Sequence, residues 1–380
     1  MTDTNWEMAE TDVLAAIGDT LDREGEAVLA TVVDVEGSAY RRPGAKMLIT
    51  EDGDAGSITA GCLEDEVRGL ASEVLDAGRP RIETYDLMAD DDVWGLGMGC
   101  NGVITVLLEP LGEGYRPVVE RVTNGTDCAV VTVTGGDHPF GERGLYDPEI
   151  GFAGDLPEWL TTELAERTTT LLEAGQSETA TVETDEGTIE VFVDGIEAPS
   201  RLVVVGSGPD VNPVVELAAR VGLRTTVVAF RGALSAADFP AADAVRTTSP
   251  SELPGTAAFD DDTYVVVMTH NFIDDRLALE TLLETSVPYI GLMGPRERFG
   301  EMVDELAEEG RTLIQNDRDR IYTPIGLDLG GDSPYRIAYS IVAEVLAVES
   351  GRTPQHLTER AGPIHDRHAT GRVDRTSKDD

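Results

Sequence analysis

Lysine is almost missing from this chain. Of 380 residues only Lys46 and Lys378 are lysines, and 29 basic side chains less these two leaves 27 arginines. Positive charge as a whole is scarce. Against those cations stand 72 acidic side chains, giving a formal net charge of −43. A field of that sign repels nucleic acid and anionic membrane surfaces, so neither is expected as a partner. Cysteine is confined to Cys62, Cys100 and Cys128, an odd and widely spaced set that indicates no disulfide framework. No metal-ligand spacing joins these cysteines to the histidines, which argues against a structural zinc site. No apolar run approaches the ~20 residues a membrane span needs. The acidic segment Met1–Glu10 has no signal-peptide pattern, so a cytoplasmic location is expected.

What is present is a folded protein's pattern. The hydrophobic fraction is 41% and the mean hydropathy −0.15. Apolar periodicity persists along the chain, unlike in a disordered acidic polymer. The spacing predicts a helix over 11–26, buried strands at 27–35 and 46–50, a helix over 63–77 and a strong strand at 103–108. A degenerate repeat follows. Ala30-Thr31-Val32 is similar to Val131-Thr132-Val133, and Leu63, Val67, Val74 and Leu75 match Leu160, Leu164, Leu171 and Leu172 at constant offset. The second copy is read as lacking the cysteine, the glycine pair and the lysine of the first. Residues 11–197 are therefore read as an N-terminal α+β domain with halves at about 11–112 and 113–197. From 200 to 350, strands and helices alternate as in a Rossmann-like, doubly wound parallel sheet, and 361–380 is read as a disordered tail.

Two cysteines sit among glycines, in Gly61-Cys62-Leu63-Glu64 and in Gly97-Met98-Gly99-Cys100-Asn101-Gly102. Glycine allows positive φ and close approach of a ligand to the main chain, so each turn can present its sulfur. The plainer alternative is a small buried hydrophobe, which is the reading for Cys128. The cluster Arg41, Arg42 and Lys46 suggests an anion site, with phosphate suited to Arg42 and Lys46. Its plain alternative is a strand-edge lysine balancing local charge.

In the second domain, the strand Leu202–Val205 enters Gly206-Ser207-Gly208, where a Rossmann fold seats a pyrophosphate on a helix N-terminus. Val211 stands at the third glycine position. Ala229 ends the next strand where an NAD binder carries an acid, and Arg231 just beyond it is placed for a 2′-phosphate. Asn212 is read as the cap of the helix that follows. At the same sheet edge, His270 is a candidate ligand contact oriented by Asp274 or Asp275, and Arg296 a candidate phosphate contact. Asp328 lies in a glycine-rich loop. Solvated loop residues and surface ion pairs are the alternatives. An NAD(P)-dependent oxidoreductase is the competing function, and a thiol pair of Cys62 with Cys100 a third.

Taken together, Gly37–Met47, Gly61–Glu64, Gly97–Gly102, Gly291–Arg296, Pro324–Gly330 and Ala338–Glu344 resemble, in order, the signatures of the XdhC/CoxI family. These are accessory proteins of xanthine dehydrogenase and related molybdenum hydroxylases. The resemblance implies binding of the molybdenum cofactor, as molybdopterin or its dinucleotide, with support of its sulfuration and delivery to an apo-hydroxylase. It implies as partners that hydroxylase, a cysteine desulfurase and a second copy of the chain. It places Cys62 as a possible molybdenum ligand, with Cys100, Gly61, Gly99, Glu64, Arg42 and Lys46 around the cofactor. Departures are Ala60, where the family commonly has glycine, Ala229 for an acid, and Tyr335-Arg336 for acidic residues.

The acidic, lysine-poor composition resembles that of proteins from extreme halophiles. In molar salt the Debye length falls to about 3 Å, which screens the self-repulsion. The thermal unfolding midpoint is expected to fall markedly when molar KCl is replaced by dilute buffer, as a thermal melt in each buffer would show.

Overall fold

The computed structural model describes residues 4–5, 8–37, 39–87, 102–184, 187–232 and 234–359. The chain divides between Ala198 and Pro199 into two compact units.

Along the first unit run β1 (Thr4–Asn5), α1 (Glu10–Asp22), β2 (Ala27–Gly37), β3 (Lys46–Thr50), β4 (Asp54–Gly56), α2 (Glu64–Ala77), β5 (Arg81–Asp86) and β6 (Gly102–Pro110). Then follow α3 (Arg116–Thr123), β7 (Cys128–Gly136), β8 (Arg143–Asp147), β9 (Gly151–Gly154), α4 (Glu158–Glu173), β10 (Ser177–Thr184) and β11 (Gly187–Ile196). One sheet has the order β1-β4-β3-β2-β6-β5 and the other β10-β11-β7-β8-β9. With the short β1 set aside and the second order reversed, the two topologies coincide. Even the bulges correspond, at Val33 in β2 against β6 and at Thr134 in β7 against β11. Helix α2 covers one face of the first sheet through Val67, Ala71 and Val74, and α4 covers the second through Leu160, Leu164 and Leu171. Between the halves, α1 and α3 pack together with Leu29, Leu48, Cys128 and Val130. Burial pushes the Cys128 thiol up to about 12, so it packs as a neutral side chain.

The register identifies equivalent residues. Thr31 opposes Lys46 as Thr132 opposes Arg143, and Leu29 opposes Glu109 as Val130 opposes Asp194. Lys46 and Arg143 are therefore counterparts, as are Glu109 and Asp194. Lys46 Nζ lies 2.7 Å from Asp194 Oδ2, with both side chains buried, and donates to the Gly44 carbonyl at 2.8 Å. Arg143 reciprocally pairs with Glu109 and lies over the ring of buried Tyr115. Each half thus sends a cation to the other's carboxylate. The second half does carry a counterpart of the rare lysine, and it is an arginine. The turns before β3 and β8 obey the same reciprocity. A β-carbon added at Gly44 would lie 2.7 Å from Ser177 Oγ, and one at Gly141 2.9 Å from Pro80 Cγ.

The second unit contains β12 (Arg201–Val205), α5 (Val211–Arg220), β13 (Arg224–Ala229), β14 (Ala244–Thr247), β15 (Thr263–Val267), α6 (Phe272–Leu282) and β16 (Tyr289–Leu292). It closes with α7 (Arg296–Glu308), α8 (Gln315–Asp319), β17 (Ile321–Tyr322) and α9 (Pro334–Glu349). All six strands are parallel, in the order β14-β13-β12-β15-β16-β17. This is the doubly wound dinucleotide-fold order, with its switch point between β12 and β15. Helices α5 and α9 cover one face, α6 and α7 the other. Asp210, rather than Asn212, is the N-cap of α5, and its side chain makes no capping hydrogen bond.

Removing one partner of a buried ion pair strands a charge and typically costs about 3–5 kcal/mol, whereas an apolar replacement of both is often tolerated. Lys46→Met is therefore expected to lower unfolding stability by about that amount. The double variant Lys46→Met/Asp194→Leu should recover most of the loss in denaturant titration.

Candidate functional site

The loop from β4 to α2 carries the Cys62 turn. Gly61 has φ +99°, a conformation that favours glycine, and a β-carbon added there would meet nothing within 4 Å. It is the turn, not crowding, that calls for glycine here. The turn is braced from beneath by buried Glu64, the first residue of α2. Glu64 Oε1 accepts from the Thr59 amide at 2.8 Å, and Oε2 from the Thr59 hydroxyl at 2.5 Å and the Leu63 amide at 3.1 Å. Thr59 Oγ1 in turn accepts from the Cys62 amide at 3.1 Å. Glu64 thus holds the loop that presents half-exposed Cys62, and both of its oxygens are engaged within the loop.

Contacts along α2 locate this loop on the sheet. Arg81, at the start of β5, pairs with Glu73 at 2.9 Å, while Tyr85 lies in the field of Glu66. Helix α2 therefore runs antiparallel to β5. Glu66 is in the first turn of α2, so the Cys62 turn that precedes this helix and the end of β5 lie towards the same end of the sheet. There the Leu87 amide donates to the Gly102 carbonyl at 3.0 Å. Tyr85 Oη is buried and has no hydrogen-bond partner among the described residues. Burial, reinforced by Glu66 and Glu83, pushes this phenol up to about 12, so it stays protonated near neutral pH. Arg41 pairs with Glu10 and lies in the field of Glu64; its pKa is lowered, chiefly by burial.

The residues expected around this site separate. Cys62, Gly61 and Glu64 belong to one turn. Arg42 is exposed on the β2–β3 loop. Lys46 is committed to Asp194 in the interior, because a buried ammonium needs its counter-charge there. Cys100 and Gly99 lie outside the described residues, as does the 361–380 tail. Thr59 and Tyr85 were missed by sequence reasoning. Of the two, only Thr59 left a local signal, a hydroxyl ahead of a helix whose first residue is glutamate.

At the carboxyl edge of the parallel sheet, His270 Nε2 lies 2.7 Å from Asp210 Oδ2. Asp274 and Asp275, the expected orienters of His270, are engaged elsewhere. Asp274 receives Arg231 in a bidentate pair at 2.7 and 2.9 Å, which removes Arg231 from the role of a ready 2′-phosphate contact. Asp275 accepts from Thr269 and pairs with Arg298. Gly206 is required by packing, since an added β-carbon would lie 2.8 Å from the Met268 carbonyl oxygen. Arg296 and Asp328 are both exposed, at the start of α7 and in the loop before α9. Among the described residues no cluster of three or more His, Cys, Asp or Glu forms a metal cage.

Comparison with known proteins gives a consistent picture. Residues 20–86 match the model of the XdhC and CoxI family, and residues 202–345 that of the XdhC Rossmann domain. A probable xanthine dehydrogenase subunit from Bacillus subtilis is 32% identical over 331 residues, spanning 86% of this chain and 94% of that protein. The molybdenum cofactor insertion chaperone PaoD of Escherichia coli is 25% identical over 324 residues, 85% of this chain and 83% of its own. A crystal structure described as a xanthine dehydrogenase from Bacillus halodurans has a TM-score of 0.73 at 30% identity, covering 91% of this chain and 97% of that one.

Glu64→Ala would orphan buried donors of the loop, at about 1–3 kcal/mol for each group left without a partner. It is expected to lower stability by at least that amount and to speed alkylation of Cys62, measured by denaturant titration and by thiol-labelling kinetics.

Proposed function

This chain belongs to the XdhC and CoxI family, and we propose that it is an accessory protein that carries the molybdenum cofactor to a hydroxylase of the xanthine dehydrogenase type. The relatives named for that enzyme and for cofactor insertion match over most of their length, which supports the reading. The observation that carries it is the braced Cys62 turn, with the buried Tyr85 hydroxyl, which has no hydrogen-bond partner among the described residues, towards the same end of the sheet.

The cofactor is cargo here, and this chain's residues suit one part of it. A dithiolene-bearing pterin already holds its molybdenum through sulfur, so one further soft thiolate is an apt addition where the described residues form no protein cage. Cys62 would supply that sulfur, held outward by Gly61 and by the Thr59–Glu64 brace. Tyr85 would donate to an oxygen or nitrogen of the cargo, giving its hydroxyl the partner it lacks. Arg42 remains the candidate for the phosphate, while Lys46 does not fit that task. Supply of a terminal sulfido ligand by a cysteine desulfurase, and assembly as a homodimer, complete the proposal. No described helix is long and apolar enough to cross a membrane. Hydride transfer by the second unit has less support, since buried Ala229 ends β13 where a ribose-binding acid would stand.

The test is the ligand recovered from protein purified out of a host that makes the cofactor. Wild type should release molybdopterin in near-stoichiometric amount, and Cys62→Ala should retain about tenfold less or lower, equivalent to about 1.4 kcal/mol. Tyr85→Phe should also retain less, yet be as stable as wild type or more so, because it deletes a buried hydroxyl without a partner. Equal loading of wild type and Cys62→Ala overturns the ligand role. An empty wild type overturns the cargo.

A further inference from the structure

The glycine turn after β12 has the form of a phosphate seat, but it faces a carboxylate of its own. In a dinucleotide fold the second glycine lets the main chain approach the pyrophosphate. Here a β-carbon added at Gly208 would collide with Asp210 Oδ1, so the Asp210 carboxylate lies against Gly208. Its other oxygen, Oδ2, is held by His270 Nε2 at 2.7 Å. His270 reaches it from the neighbouring β15 loop with φ +59°, a backbone conformation that is uncommon for a residue other than glycine. Although Asp210 is the N-cap of α5, its side chain does not cap the helix. It reaches across the switch point to the histidine instead.

We infer that Asp210 is a built-in occupant of the phosphate seat, clamped by His270, and that it makes this Rossmann unit reject the phosphates of nucleotides. A diphosphate entering the turn would have to displace the carboxylate and break its contact with His270. Otherwise it would place like charges side by side in a site that selects by charge. The other nucleotide feature of the edge is pre-empted in the same way: Arg231, the nearest cation beyond β13, is already forked onto Asp274. The seat is thus filled from within by one acid, and the adjacent arginine is neutralised by another. The clamp lies within the second unit alone.

The full-length protein is titrated with ADP, and with adenosine as the phosphate-free control, by calorimetry in one buffer of fixed salt. Asp210→Ser is expected to bind ADP at least tenfold more tightly than wild type, with adenosine unchanged. Asp210→Asn keeps the shape and removes the charge, and should shift ADP affinity in the same direction if the serine variant fails to fold. Wild type binding ADP as tightly as the folded variants overturns the inference, and so does a lack of ADP binding in all of them. An equal gain for adenosine overturns it too, because the effect would then be one of space and not of phosphate.

Discussion

Two ion pairs, the buried Lys46–Asp194 and Arg143–Glu109 with its half-buried arginine, are the constraint from which the N-terminal unit follows. They are reciprocal across the internal repeat, as contacts are across the two-fold interface of a dimer. Each pair joins a strand of one sheet to a strand of the other, so both form only when both sheets are in register. A one-residue slip would turn every side chain of a strand to its opposite face, break the ion pair that strand carries and leave the partner without its counter-charge. The matched bulges belong to the same geometry. Val28, Ala30 and Val32 face α2, and after the bulge at Val33 it is Val35 that packs on that core. In a chain with few cations, two are placed where they fix architecture.

With the scaffold held twice over, the halves are free to differ at their loops. Counted from the core leucines Leu63 and Leu160, Cys62 corresponds to Trp159. There the second-half helix has already begun, at Glu158, while α2 begins only at Glu64. Gly61 with its left-handed φ keeps that stretch out of the helix and turns Cys62 outward. A second difference lies on the strand beneath. Tyr85 opposes Ile104 as Val182 opposes Ile189, so a valine packs where the first half has a phenol with no partner among the described residues. A position that an apolar residue fills comfortably in one copy does not need a hydroxyl for packing in the other. The polar additions of the first half are thus additions to a fold already complete.

The sequence made some of this legible. Helical spacing located α2, the leucine offsets revealed the repeat and with it α4, and alternating strands and helices gave the doubly wound sheet. The short edge strands β14 and β17 and the short helix α8 left too little periodicity to be read. Lys46 stood out by its rarity, yet its role was hidden because its partner is 148 positions away in sequence, at Asp194 (194 less 46). Its equivalence to Arg143 is carried by the offset of 97 that Lys46 and Arg143 share with Leu63 and Leu160, whereas Thr31 and Thr132 are offset by 101; the ladder gives the same pairing. Long-range charge pairing leaves no local trace, whereas apolar period does.

Glycine is where local reading failed most instructively. Gly61, Gly206 and Gly208 look alike as signals for close ligand approach. The structure gives them three different reasons. Gly61 answers a conformation, with open space around it; Gly206 answers the closeness of the Met268 carbonyl; Gly208 makes room for the Asp210 carboxylate. Only the first leaves a surface that a ligand can reach without displacing protein atoms. A glycine motif therefore reports that something must come near the main chain, and the packing decides whether that something is cargo, a neighbouring strand or the protein's own acid. By that criterion the Cys62 turn, rather than the more familiar turn of the Rossmann unit, is the one with open space beside its glycine.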